Sequence, residues 1–282
     1  NNFNSYLIAV KNAHGLLTHR SLYRQETMKY LVGFLLLVLT KSTLTAPLSQ
    51  PDHLDYDNAE LIAGYFQGDI VLAPTQRNGH RNETLRWPNN IVYYKINDGY
   101  FDEAHRNHIL RGIKIIEDLS CIRFQEATAD QKYYVNITGK DGGCYSSIGW
   151  MNGVQHYNLQ LYPLDTGCFR LGTIVHEFLH TLGFFHMQSA ANRDEYVRIE
   201  FDNIEKGMEF NFEKYDEDYI DDYEEEYDYG SILHYHAYSF SVNGEKTIIP
   251  LKDEGAIIGQ RRGMSKSDIN KLNTMYRCPV TL

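Results

Sequence analysis

Apolar positions change their spacing several times along the chain, and each spacing predicts a different kind of element. Short alternating or continuous apolar runs predict strands at residues 91–94, 121–124, 133–137, 146–151 and 158–162. Helical spacing over residues 105–119 predicts a helix with Ile109, Ile113 and Ile116 on its buried face. Strands come first and less regular sequence follows, so the pattern predicts an α+β fold with two lobes.

Two further helices carry start or stop signals. A strongly apolar helix is predicted over Leu171–Leu182, and it ends at Gly183 because glycine readily adopts the left-handed conformation that closes helices. Near the C-terminus, Ser265 is followed three positions later by Asp268, which predicts a capped last helix reaching Met275. The first of these helices separates the two predicted lobes.

The first 77 residues differ from the rest in how apolar and polar residues are distributed. A lysine precedes an apolar run over residues 31–39 and small residues follow, the order expected of a secretory signal peptide at residues 28–46. Residues 1–27 show no targeting pattern and are interpreted as a non-native upstream extension, and the polar residues 47–77 as a pro-segment or linker. The apolar run is too short for a stop-transfer helix, although a membrane anchor after a polar extension is the alternative.

Composition and charge narrow the function classes. The 282-residue chain is 43% hydrophobic and 13% aromatic, enough for a substantial core, and its net charge of -10 argues against nucleic-acid binding. The charge is concentrated between Glu205 and Asp228, where twelve acidic residues stand against two lysines. We interpret this run as a solvated structural face, with a functional acidic patch as the alternative.

The cysteines point to an oxidising compartment. An even number of cysteines in a secretory context predicts two disulfides rather than a metal site, and the residues alone leave three connectivities open. The four cysteines include no C-x-x-C pair: Cys121, Cys144, Cys168 and Cys278. Two sequons make Asn82 and Asn136 glycosylation candidates in that compartment.

The strongest chemical signal is the stretch HEFLHTLGFFH, from His176 to His186. On a helix, His176 and His180 share a face and can ligate one ion, with Glu177 beside them. Gly183 lets the backbone turn so that His186 can supply a third nitrogen, leaving a fourth position open for water. Zinc lowers the pKa of bound water to about 7, and Glu177 can act as the general base. The spacing therefore predicts a catalytic zinc site, against the alternative of accidental histidines in a buried helix.

This stretch resembles the metzincin signature H-E-x-x-H-x-x-G-x-x-H, and residues 192–197 (NRDEYV) and 231–235 (SILHY) narrow the similarity to the astacin family of zinc endopeptidases. The resemblance implies a metzincin-like catalytic domain over residues 78–282. Its N-terminal lobe is expected to hold a mixed twisted sheet and the active-site helix, and its C-terminal lobe to be irregular up to the last helix. The resemblance also implies one zinc ion, and Tyr235 as an additional ligand that swings away to stabilise the tetrahedral intermediate.

The segment before the catalytic domain shares further family features. Residues 66–69 (FQGD) resemble the pro-segment motif whose aspartate occupies the open zinc position in the zymogen. Asp69 is therefore expected to be a temporary ligand, against the alternative of a turn aspartate. The resemblance implies an activating protease that cuts at Arg77-Asn78, and an edge strand within residues 146–157 that pairs with extended substrate. It also implies two disulfide pairs: Cys121 with Cys278, and Cys144 with Cys168.

The chain departs from the family pattern near the predicted metal. Leu233 replaces the methionine of the turn beneath the zinc, a swap of similar volume. Met187 replaces a glutamate that in the family links to the new amino terminus, and Ala190 and Ala191 replace polar residues. Neither a ligand nor the base is lost.

The sequence thus predicts a secreted zinc endopeptidase, made as a zymogen and acting on peptides or proteins. No nucleic-acid partner and no stable membrane association are expected, and the oligomeric state is left open. Two alternatives stand beside it: a catalytically impaired zinc-binding decoy on the same fold, and a membrane-tethered ectodomain anchored by residues 31–39. Glu177 and Tyr235 favour the enzyme, because a protein that only binds needs no base beside its metal.

Overall fold

A computed structural model describes residues 59–72, 83–216 and 221–279. They belong to one compact unit, Asp57–Leu282. The predicted signal peptide, the Arg77 cleavage site and the sequon at Asn82 lie outside the described residues. Among the residues described, no helix combines the length and hydropathy needed to cross a membrane.

Over these ranges the chain forms strands, α-helices and several short 3-10 helices. The strands and α-helices in chain order are β1 (Ile70–Val71), β2 (Ile91–Ile96), α1 (Glu103–Leu119), β3 (Arg123–Glu126), β4 (Tyr134–Thr138), β5 (Cys144–Ser147), β6 (Val154–Leu159), α2 (Leu171–Leu182), β7 (Val197–Ile199), β8 (Ile248–Pro250) and α3 (Lys266–Met275). The predicted α+β class is confirmed.

A six-stranded mixed sheet has the order β1-β5-β6-β4-β2-β3, in which β5 is antiparallel to β6 and the other neighbours are parallel. The three α-helices contribute to the main hydrophobic core together with this sheet. A second core, which includes Phe212 and Ile248, lies in the C-terminal part of the chain. Leu233 belongs to the first core and Tyr235 to the second, so the turn between them lies where the two cores meet.

The helix signals in the sequence are confirmed. Gly183 closes α2 with φ 110°, and its N–H donates to the carbonyl of His180. The capping box of α3 forms between Ser265 and Asp268. Helix α1 begins at Glu103, two residues earlier than predicted, because Asp102 caps it by accepting a hydrogen bond from the backbone of His105.

Several predicted strands were wrong in their bounds: β2 runs on to Ile96, and the strand predicted at 121–124 is β3, which begins two residues later. The predicted strands at 146–151 and 158–162 are β5 and β6, and both begin earlier in the chain. Strand β5 starts at Cys144 because a disulfide joins this residue to Cys168, and because its N–H donates to the carbonyl of Ala59. The chain therefore turns between the two strands over residues 148–153.

The disulfides have the pairing that the family resemblance implies. Bonds join Cys121 to Cys278 and Cys144 to Cys168. The first crosses 157 residues and fastens the segment after α1 to the segment after α3. The sequon residue Asn136 is half-buried in β4, which is flanked by β2 and β6.

Candidate metal centre

Three buried imidazole rings converge at one point. His176 and His180 lie one turn apart on α2, and the chain reversal at Gly183 brings His186 to the same point. The Nε2 atom of His176 lies 3.0 Å from that of His180 and 3.3 Å from that of His186. The structure thus brings together the three histidines that the spacing indicates.

The outer nitrogen of each ring faces an oxygen acceptor. These acceptors are the carbonyl of Ile232 for His176 (2.8 Å), the carbonyl of Phe184 for His180 (2.6 Å) and the Oε1 atom of Gln67 for His186 (3.0 Å). An acceptor at Nδ1 keeps the proton there, so each Nε2 directs a lone pair at the other rings. Burial lowers the pKa of His186 to about 3, which keeps this ring in the neutral form that binds metals.

Asp69 closes the fourth side of this cluster. Its carboxylate oxygens lie 3.2 Å from Nε2 of His176, 3.5 Å from that of His180 and 3.4 Å from that of His186. The carboxylate is buried, and its Oδ1 has no hydrogen-bond partner. A charged group in this position needs a compensating partner.

The geometry fits a single zinc ion. Four ligand atoms bound at about 2.0–2.1 Å to a tetrahedral zinc lie about 3.3 Å from one another. With Oδ2 of Asp69 as the fourth ligand atom, four of the six separations are between 3.0 and 3.4 Å, and the other carboxylate oxygen, Oδ1, lies 3.5 Å from Nε2 of His180. Because the ring protons are on Nδ1, buried lone pairs face one another across these separations, which is favourable only around a cation. Three imidazole nitrogens and one carboxylate oxygen are a common zinc donor set.

Glu177 follows the first histidine and lies buried without a partner. Both of its carboxylate oxygens are enclosed and neither has a hydrogen bond. Burial raises the pKa of Glu177 well above its ordinary value, and the negative charge of Asp69 adds to the rise. A buried carboxylate left without partners is costly to a fold, and such groups concentrate at functional sites.

Tyr235 lies against the third histidine. Its ring centroid is 4.7 Å from that of His186, and its hydroxyl donates a 2.6 Å hydrogen bond to the carbonyl of Gln67. Its backbone N–H donates to the side-chain oxygen of Gln188 at 3.3 Å. The hydroxyl at the metal cluster is thus engaged by the segment that carries Asp69.

That segment, residues 59–72, covers the cluster and is called the covering segment below. It adds strand β1 to the sheet edge, with Ile70 opposite Ser146 of β5. Gln67 is fully buried and donates from its amide to the hydroxyl of Ser189 at 2.7 Å. The same amide group therefore presents its oxygen to His186.

An ion pair holds the other end of the covering segment. The Nε atom of Arg261 lies 2.9 and 3.0 Å from the two carboxylate oxygens of Glu60, and the hydroxyl of Thr173 donates to the same carboxylate at 2.9 Å. Although burial opposes the shift, the Arg261 guanidinium lowers the pKa of Glu60 to about 2. Sequence reasoning missed this pair, because its members are 201 residues apart and no local pattern marks either of them.

Two residues that depart from the family pattern pack beneath the site. Leu233 is buried, and its carbonyl accepts a 3.0 Å hydrogen bond from the N–H of Met187. The sulfur of Met187 lies 3.6 Å from the ammonium of Lys271. Together with Lys271, these side chains line a cavity beside the site.

Helix α2 carries two histidines one turn apart with an adjacent glutamate, and a third histidine follows a glycine turn. Together with the zinc-compatible cluster, this arrangement defines a zinc metalloendopeptidase. Comparison with known proteins gives the same class. Residues 79–277 match the family model described as Astacin, a peptidase family. The chain belongs to the astacin family.

Individual relatives agree with this membership. The chain is 46% identical over 228 residues to seminal metalloprotease 1 of Drosophila melanogaster, covering 79% of this chain and 91% of that protein. It is 40% identical to zinc metalloproteinase nas-13 of Caenorhabditis elegans, covering 79% of this chain but 48% of that longer protein. Among solved structures it is similar to high choriolytic enzyme 1, a hatching enzyme zinc-protease of Oryzias latipes, with 33% identity and a TM-score of 0.62 over 69% of this chain and 94% of that one.

Proposed function

We propose that this chain is the latent precursor of a secreted endopeptidase in which His176, His180 and His186 hold the zinc and Glu177 is the general base. The observation that carries the proposal is the convergence of three Nε2 lone pairs beside a buried carboxylate that has no partner. The impaired decoy is less favoured, because neither the ligand set nor the carboxylate is disrupted.

Each catalytic group has a separate task in this proposal. When bound, zinc polarises the scissile carbonyl and acidifies water. Glu177 takes a proton from the attacking water and delivers it to the leaving amine. Tyr235 donates a hydrogen bond to the oxyanion that develops on the substrate. Its hydroxyl is available for this only when it no longer donates to Gln67.

Latency in this proposal comes from the covering segment. Asp69 takes the fourth ligand position, and Gln67 engages both His186 and Tyr235. Cleavage by an activating protease at Arg77-Asn78 separates the segment from the catalytic domain, and its departure opens the cleft. The bounds we propose are residues 47–77 for the pro-segment and 78–282 for the catalytic domain.

Substrates are proposed to be extended peptides or proteins that pair with β5. Without β1, strand β5 has an unpaired edge, and the β1 pairing is evidence that this edge accepts main-chain hydrogen bonds from an extended segment. Secretion is supported by the signal-like residues 28–46 and by two disulfides, which persist in oxidising compartments. Asn82 and Asn136 remain glycosylation candidates.

Peptide cleavage after activation tests the proposal. We expect the full chain to cleave an internally quenched peptide after brief trypsin treatment and removal of trypsin with a serine-protease inhibitor. A chelator should abolish this cleavage and added zinc should restore it. A processed, zinc-loaded protein that cleaves no extended peptide would favour the decoy instead. Secretion is tested separately, because an anchored protein would stay with the membranes rather than enter the medium.

A further inference from the structure

The three histidines differ in the hydrogen-bond acceptor that each Nδ1 atom contacts. His180 donates to the carbonyl of Phe184, which lies on the same local stretch of chain. His186 donates to Gln67, which belongs to the covering segment and departs with it. His176 donates to the carbonyl of Ile232, in the turn beneath the cluster. The partner of His176 is therefore the one that both remains after activation and comes from a distant part of the chain.

The Ile232 carbonyl is itself part of a hydrogen-bond chain. The same peptide group carries the N–H of Leu233, which donates to the hydroxyl oxygen of Ser231 at 3.1 Å. The Ser231 hydroxyl donates in turn to Oδ1 of Asp268 at 2.6 Å. Both backbone groups have fixed roles, since an N–H donates and a carbonyl accepts. The chain of donors thus runs in one direction and ends at the carboxylate of Asp268.

Asp268 is placed to hold a negative charge at the end of this chain. Its Oδ2 accepts from the backbone N–H groups of Ile232 and Ser265, both at 2.9 Å. Burial raises the pKa of Asp268, but with the Ser231 hydroxyl the carboxylate receives three hydrogen bonds, which favour its ionised form. The side chain is buried, with 6% of its surface exposed, so water does not screen its charge.

We propose that Asp268 is a positioning residue for the metal, acting through Ser231 and the Ile232–Leu233 peptide to orient His176 and make it a stronger ligand. Carboxylates that contact a ligating histidine directly are known to fix its tautomer and raise its basicity. Here a serine and one peptide unit stand between the two groups, and consecutive hydrogen bonds polarise one another in a buried setting. Our inference rests on the proposed function, because it takes His176 to be a zinc ligand.

Zinc affinity of the full chain tests this relay without using activity. Ser231→Ala removes the link to Asp268 and leaves the capping box of α3 intact, so we expect zinc binding, measured by competition with a chromophoric chelator, to weaken about tenfold. Ser265→Ala is the matched control, because it removes the cap of α3 but no member of the relay. It should lower the melting temperature and leave zinc affinity unchanged.

A ligand-field spectrum and a double-mutant cycle sharpen the test. We expect the visible absorption of the cobalt-substituted chain to shift in Ser231→Ala and Asp268→Asn but not in Ser265→Ala. Because both relay residues act through one chain, the double variant should weaken zinc binding no more than the larger single effect. If the fold-changes in zinc affinity of the two single variants multiply in the double variant, the two residues act independently and the relay is overturned.

Wild-type affinity and an unchanged cobalt spectrum in Ser231→Ala would overturn the proposal, and this variant decides alone if Asp268→Asn does not fold. A wild-type chain that binds no zinc would instead overturn the proposed function on which the relay depends. The two failures are therefore distinguishable.

Discussion

Helix α2 and the covering segment both bring ligand atoms to the same cluster, but they are held in different ways. Helix α2 is buried along almost its whole length, and its own backbone hydrogen bonds set the spacing of His176 and His180. The covering segment has little regular structure beyond β1, and its Gln67 has a positive φ of 50°. It is held by tertiary contacts at its two ends, the Glu60 ion pair and the Asp69 cluster.

In the proposed function, this difference separates helix α2, which stays in place, from the covering segment, which leaves on activation. In the proposed activation, removing the covering segment costs α2 none of its helical hydrogen bonds, so His176 and His180 keep their arrangement, whereas His186 loses its Gln67 acceptor. The covering segment, in contrast, has only a few hydrogen bonds of its own around Tyr65–Ile70 and depends mainly on tertiary contacts for its position. The proposed activation by cleavage therefore requires no refolding of α2.

The largest expected effect comes from helix α2, which carries Glu177. Glu177→Ala should lower kcat/KM of the activated enzyme by about a hundredfold to ten-thousandfold, because the general base is lost while the ligands remain. Peptide cleavage and bound zinc are measured on the same sample. Unchanged zinc content with full activity would show that another group supplies the base.

The next largest effect should come from the metal anchor of the covering segment. Asp69→Ala removes a buried charged partner worth about 2–5 kcal/mol, so the fraction of open, uncut chain should rise on the order of 30-fold to 5000-fold. Peptide cleavage by the uncut chain measures this fraction. Asp69→Asn is the matched control, since its neutral oxygen should give an intermediate value. If uncut Asp69→Ala cleaves peptide no faster than the uncut wild type, Asp69 does not contribute to latency.

The ion-pair anchor should contribute less. Glu60→Gln keeps the volume but loses charge-assisted hydrogen bonds worth about 1.5–3 kcal/mol, so basal cleavage by the uncut chain should rise less than in Asp69→Ala. Equal increases in basal cleavage for Glu60→Gln and Asp69→Ala would mean that Asp69 holds the covering segment no more strongly than the ion pair does.

The same anchor has a pH signature. The pKa of Glu60 is depressed from 4.5 to about 2, so its contribution is fully present above pH 4.5 and is lost as the pH falls toward 2. The difference in basal cleavage between wild type and Glu60→Gln should be constant from about pH 5 to 8. A difference that changes within that range would point to another group.

The smallest effect is expected beneath the metal. Leu233→Met restores the residue usual in the family with little change of volume, so the free energy of unfolding should change by less than about 1.5 kcal/mol. Thermal unfolding and peptide cleavage check this together. A large gain in activity would show that Leu233 weakens this enzyme.

Local patterns in the sequence were sufficient for part of the fold and site. The bounds of α2, its glycine cap and the α3 capping box follow from nearest-neighbour rules, and the ligand spacing follows from helix geometry. The start of β5 did not follow, because a disulfide and a hydrogen bond to the covering segment decide it, and the start of β6 is set by the pairing of Val154 with Tyr134 of β4. The Glu60–Arg261 pair and the Asp268 relay join positions far apart in the chain, and only the fold brings them together.

X-ray absorption at the zinc edge of the purified, uncut chain tests the central claim most directly. The account predicts three imidazole nitrogens and one carboxylate oxygen at about 2.0–2.1 Å, with the imidazole signal kept in Asp69→Ala. A spectrum with fewer than three imidazoles, or with a sulfur ligand, would contradict it.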